Sequence, residues 1–153
     1  SNTTGAPVPT FSEYFSQTRS STQALAIAVP TTIIPNVADT TARGTVLNTS
    51  TGITTITSTT EGVYGFTFGG NVLINGTATP PILTVRVNVN GSTRKEVIFP
   101  FGGNTVGVFG VSITAKFELV DTDFVDITIL NGTLQAASLQ DTGLLYNVTK
   151  EGE

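Results

Sequence analysis

Asp121, Asp123 and Asp126 fall close together, with Glu118 just before them. Carboxylate oxygens spaced this way at a turn are what calcium takes as ligands, alongside backbone carbonyls and water. These three aspartates are therefore the candidate calcium ligands. The spacing lacks the glycine at the sixth position and the glutamate at the twelfth that define an EF-hand loop. The cluster reads first as a solvated acidic turn, whose charge also discourages edge-to-edge strand pairing. No other cofactor is expected.

Several other chemistries are absent by composition. The chain has 153 residues and no Cys or His. Without imidazole or thiol there is no Ser-His-Asp or Cys-His nucleophile and no His- or Cys-rich zinc site. The glycine-rich FGGNTVGVFG, residues 101–110, lacks the lysine of a phosphate-cradling loop and lies between strand patterns. The 11 acidic residues leave paired-carboxylate glycoside chemistry open on count alone. Two carboxylates facing one another in a groove would mark such an enzyme, but no groove is legible, and the reading is non-enzymatic.

The net charge is -4, and the only adjacent basic pair, Arg94-Lys95, is followed by Glu96. Nucleic acid is not an expected partner, because its phosphates need a clustered basic surface. The longest apolar run near the N-terminus, ALAIAV at residues 24–29, is too short to span a bilayer and has no basic flank, so no membrane insertion is expected. The chain holds no Met, which reads as a processed product or an excised fragment. Asn-x-Ser/Thr triplets begin at Asn2, Asn48, Asn75, Asn90, Asn131 and Asn147. They would accept glycans only on a eukaryotic secretory route.

The elements that must position these residues are strands. Charged residues make up 12% of the chain, about half the average of globular domains. Thr, Val and Ile abound, and β-branched side chains suit strands. Strand patterns occur at 23–29, 44–47, 53–58, 62–74, 82–90, 94–101, 105–119, 124–130 and 143–149. Many short strands with Gly, Asn and Pro between them point to one all-β sandwich or barrel domain over residues 23–153. Asn75-Gly76, Asn90-Gly91 and Asn131-Gly132 follow alternating runs and suit type I′ hairpins, hence antiparallel neighbours. In 106–119, Val111, Ile113, Ala115, Phe117 and Leu119 share one face and Ser112, Thr114, Lys116 and Glu118 the other, a half-buried strand. Gly107 and Gly110 near its start suggest a bulge or a close backbone approach. Residues 1–22, with Pro7 and Pro9, read as a linker or stalk end. The competing reading is a short helix from Ser12 to Arg19 with Phe11, Tyr14 and Phe15 on one face.

The run GVYGFTF, residues 62–68, places Tyr64, Phe66 and Phe68 on one strand face, with Val63, Gly65 and Thr67 on the other. Gly62 would let the chain turn sharply into the strand, and Gly65 leaves the opposite face thin. Gly62, Tyr64, Phe66 and Phe68 resemble the Gly-x-Tyr-x-Phe-x-Phe/Tyr signature of the C1q/TNF-like jelly-roll superfamily. Upstream, STGITTITSTTE resembles the family's preceding strand and polar turn. In FELVDTDFVDITI, Asp123 and Val125 match a Gly-Asp-x-Val turn, with Thr122 where Gly is usual. In DTGLLYNV, Gly143, Leu144, Leu145 and Tyr146 match the closing strand. The resemblance covers roughly residues 23–149.

It implies an antiparallel β-sandwich jelly roll, a homotrimer, and a non-enzymatic role in attachment or recognition of a cell-surface glycan or protein receptor. The Thr-rich, Lys-poor composition is similar to bacterial spore-surface, phage or viral fibre-head members, which implies an extracellular site on a virion, spore or cell. The alternative is a purely structural capsid, vertex or spore-coat jelly roll. The run VIFPFGGNTVGVFGV, residues 97–111, is more apolar than a small monomer's surface tolerates. It would bury against sister chains, or else Phe99, Phe101 and Phe109 lie in the monomer core.

Overall fold

The computed structural model describes residues 16–38, 44–58, 62–75, 82–101, 106–133 and 135–151. Among them every regular element is a strand. In chain order these are β1 (Ser16–Thr18), β2 (Gln23–Leu25), β3 (Thr31–Thr32), β4 (Val37–Ala38), β5 (Thr45–Leu47), β6 (Thr54–Ile56) and β7 (Gly62–Ile74). There follow β8 (Ile82–Val89), β9 (Ser92–Pro100), β10 (Gly107–Leu119), β11 (Phe124–Asn131), β12 (Ala137–Leu139) and β13 (Leu145–Glu151).

The strands form two antiparallel sheets. In the first, β7 is central: β10 pairs along its whole length, while β13 and then β12 share its other edge. Beyond them lie β1 and β4 on one side and β2 on the other. The second sheet runs β5-β6-β11-β8-β9, with β3 also on β11. Strands distant in sequence are neighbours, as the Greek-key connections of a jelly roll require.

Alternation supplies one apolar face per sheet. Tyr64, Phe66, Phe68, Val72 and Ile74 of β7 meet Leu83, Val85, Val87, Val125, Ile127 and Ile129 of the second sheet in a single core. Phe66 stacks at a tilt on Phe117, with centroids 6.3 Å apart. Across the core, Tyr146 Oη and Thr54 Oγ1 share a hydrogen bond of 2.6 Å that ties β13 to β6. Burial and the nearby Asp126 charge push the Tyr146 phenol well above its ordinary range, so it stays neutral.

Several expectations need correcting. Ser16–Thr18, assigned to the linker or to a short helix, pair as a strand with β13 and β4. Residues 1–15 lie outside the described residues. The long strand 107–119 keeps one unbroken register on β7, so Gly107 and Gly110 mark no bulge. The register shift falls instead between Val87 and Asn88, opposite β9. Asn90 and Gly91 have φ of 51° and 83°, as a type I′ turn requires. Asn131 is not in such a turn. It is buried, and its Oδ1 accepts from Thr133 N and Oγ1 while Nδ2 donates to Gln135 O. The side chain, not positive φ, closes that turn. Gly76 of the third pair lies outside the described residues.

Phe66 is fully buried at the centre of the central strand. Phe66→Ala is expected to cost about 3–5 kcal/mol of unfolding free energy. Urea denaturation checks this, and near-wild-type stability would remove β7 from the core's centre.

Candidate functional site

The acidic turn links four strands. Val120–Asp123 connects β10 to β11 and lies against the β8–β9 turn and β6. Asn90 Nδ2 donates to Asp123 Oδ1 at 2.9 Å, and Val120 N donates to Asp123 Oδ2 at 2.9 Å. Asn90 Oδ1 accepts from Phe124 N, and Asn90 N donates to Phe124 O. Ile56 N donates to Asp123 O, and Thr122 N donates to Ile56 O. Asp123 is thus a staple between turns, and the donors from Asn90 and Val120 hold its carboxyl below the usual range.

The three aspartates do not act as one group. Asp121 is exposed at the turn, whereas Asp126 lies on β11 opposite Asn88 and accepts from Thr32 Oγ1 at 3.2 Å. Partial burial raises the Asp126 carboxyl above its ordinary value, against the opposing pull of Thr32 and Asn88. Among the described residues, no three His, Cys, Asp or Glu side chains are placed to hold a metal ion.

Thr122 adopts φ 75°, the left-handed region where a β-branched residue is strained. That is the physical reason a glycine suits this turn. Gly143 (φ 78°) does occupy such a position before the closing strand, and a Cβ there would stand 2.5 Å from Asn71 Nδ2. The glycines of GVYGFTF have a different reason. Gly62 is the first residue of β7, and a Cβ on it would stand 2.8 Å from Lys150 Cε. Its absence lets the Lys150 stem cross toward Tyr64, whose ring lies 5.7 Å from Nζ, and Ser58 Oγ. A Cβ on Gly65 would stand 2.8 Å from Thr149 Oγ1, so neighbouring strands close over the thin face.

The paired bases sit at the seam between the sheets. Arg94 lies 5.2 Å over the Phe117 ring, and Lys95 Nζ donates to Thr114 O on the edge of β10. They cover one half of the seam. In the other half Phe99, Phe101 and Phe109 are half-buried against the core, with Phe101 and Phe109 centroids 4.5 Å apart. Ile98, Val106 and Val108 stand out beside them, 54–58% exposed. The apolar run is therefore partly core and partly surface. Sequence alternation found the rings. It missed that β9 and β10, distant from each other's pairing partners, lie side by side as edges.

No protein-family model matches the chain, and no curated protein matches it in sequence. Solved structures do. An Eiger TNF from S. frugiperda matches with a TM-score of 0.62 at 12% identity, over 93% of this chain and 92% of that one. The globular domain of zebrafish complement 1qA protein matches with a TM-score of 0.60 at 19% identity, over 90% and 96%. The fold is therefore the TNF/C1q-like β-sandwich jelly roll.

Thr122→Gly is expected to stabilise the domain by roughly 0.5–1 kcal/mol, the relief of left-handed strain less the unfolded-state entropy that glycine adds. Thermal unfolding checks it. The two aspartates carry opposite pH dependence. The lowered Asp123 pKa contributes stability that is present above its unfolded value of about 4 and lost as pH falls through the folded value. The raised Asp126 pKa costs stability as pH rises from about 4 through the folded value. Asp126→Asn is expected to raise stability at neutral pH and Asp123→Asn to lower it. Urea unfolding across the acid range reads both, and identical slopes in the two variants would refute the assignment.

Proposed function

We propose that this chain is a non-enzymatic, homotrimeric head domain that attaches to or recognises a receptor from an extracellular surface, on a virion, spore or cell. The observation that carries this reading is the open half of the seam: Ile98, Val106 and Val108 stand exposed beside three half-buried phenylalanines, along two strand edges that no other described strand pairs. An apolar patch of this kind marks an interface. The likeness to a TNF and to a C1q globular domain supports its being filled by sister chains. Recognition then gains from three copies, which raise weak affinity by local concentration.

The acidic turn fits this reading without calcium, since Asp123 is satisfied by Asn90 and Val120. Among the described residues no helix is long and apolar enough to cross a membrane.

Light scattering is expected to give a particle of three times the 15.9 kDa chain mass, unchanged by a chelator. Val108→Asp is expected to yield a folded monomer, with wild-type circular dichroism. A wild-type monomer would refute the assembly. Growth into shells or filaments would favour a structural coat protein instead. Dissociation on chelation would make the acidic turn a calcium site.

A further inference from the structure

Phe124 is the most exposed aromatic side chain among the described residues, at 37%. It lies on the outer face of the second sheet, because Val125, Ile127 and Ile129 between the outward positions point into the core. Asp126 is two residues along the same face, roughly 7 Å away at strand spacing. Asn88 stands opposite Asp126 on β8, and Thr32 donates to its Oδ2 from β3. Thr93 Oγ1 donates to Asn88 Oδ1 and so fixes the amide. Thr55 of β6 is paired with Phe124.

The Asp126 carboxylate is half-buried, yet it has no cation within ion-pair reach among the described residues. The nearest cation in register on the neighbouring strand, Arg86, is held by Glu96 at 2.7 Å. A carboxylate has about four acceptor sites, and here only neutral groups of the fold address it. Partial burial without a charge partner costs stability. A residue kept at such a cost beside an exposed ring is a candidate for ligand contact.

We propose that Phe124, Asp126 and Thr32, with Asn88 positioning the carboxylate, bind a neutral pyranose sugar. The apolar C–H face of the sugar lies on the Phe124 ring. Two of its hydroxyls donate to Asp126, where charge-assisted bonds are strong. The Thr32 hydroxyl oxygen accepts from one of the same hydroxyls, while the buried Asn88 amide, held by Thr93 and Thr128, positions the carboxylate from behind. The Asp126 charge, the pairing of Arg86 with Glu96 and the chain's charge of -4 select against acidic sugars. This proposal deepens the recognition reading by naming a ligand class. The site is complete within one chain.

The test is a titration of the intact, isotope-labelled protein with the methyl glycosides of glucose, galactose, mannose, N-acetylglucosamine and glucuronic acid, followed by amide chemical shifts. At least one neutral glycoside is expected to move the amides of Thr32, Asn88, Phe124 and Asp126, with glucuronide weaker. Phe124→Ala and Asp126→Asn are each expected to weaken that binding by about tenfold or more. Both variants are expected to keep the wild-type spectrum elsewhere, so a loss of binding is not a loss of fold. The proposal is overturned if no glycoside moves these amides, or if either variant titrates like the wild type. A monomer that binds sugar refutes only the assembly, and a trimer that binds none refutes only this site.

Discussion

The structure depends on burying three rings from one strand. Tyr64, Phe66 and Phe68 point the same way from β7, and each is fully buried. Rings of this size carry about 150–250 Å² of surface each. A single sheet cannot cover them, so a second sheet must lie across that face. On the ring face Gly62 leaves room for the Lys150 stem, and on the opposite face Gly65 leaves room for Thr149. Each glycine thus makes room for a side chain of the neighbouring strand β13.

The ends of the sandwich are held differently. Core strands need only alternation, but their connections need specific backbone geometry. The β8–β9 turn supplies positive φ with Asn90 and Gly91. The β10–β11 turn demands it from Thr122, which is poorly suited. The surrounding bonds hold that strain: Thr122 N on Ile56 O, and Asp123 between Asn90 and Val120. Strain persists where neighbours over-determine it. Asp123, one of the three aspartates that the sequence offers as calcium candidates, is the clamp of this turn.

This division explains what the sequence made legible. Long strands such as 62–74 and 107–119 carry enough alternation to be read with their faces correct. Of the strands of two or three residues, β2, β5 and β6 lie inside longer strand-like runs, whereas β1, β3, β4 and β12 have no such run around them and show no period. They exist because neighbours offer them unpaired edges. Asn131-Gly132 failed as a hairpin signal because the dipeptide only permits positive φ, and a buried Asn side chain can close a turn by its own bonds. For the candidate sites, the aspartates were visible as a cluster. Their separation was not, since it follows from Asp123 facing a turn and Asp126 facing Asn88 and Thr32 across strands far apart in sequence.

The same logic separates two surfaces that composition alone would merge. The apolar residues at the seam are aliphatic, lie along strand edges that no other described strand pairs, and sit beside rings already half inside the core. Covering them removes water from hydrocarbon and needs no polar partner. The outer face around Phe124 is the opposite case, with a ring, a carboxylate and an amide on strands that are all internally paired. No further strand is needed there, and an apolar partner would strand the Asp126 charge. A surface that gains from hydrocarbon and a surface that demands hydroxyl donors cannot serve the same contact. Because they lie on different strands, one chain can use the first for its own kind and keep the second free for a ligand.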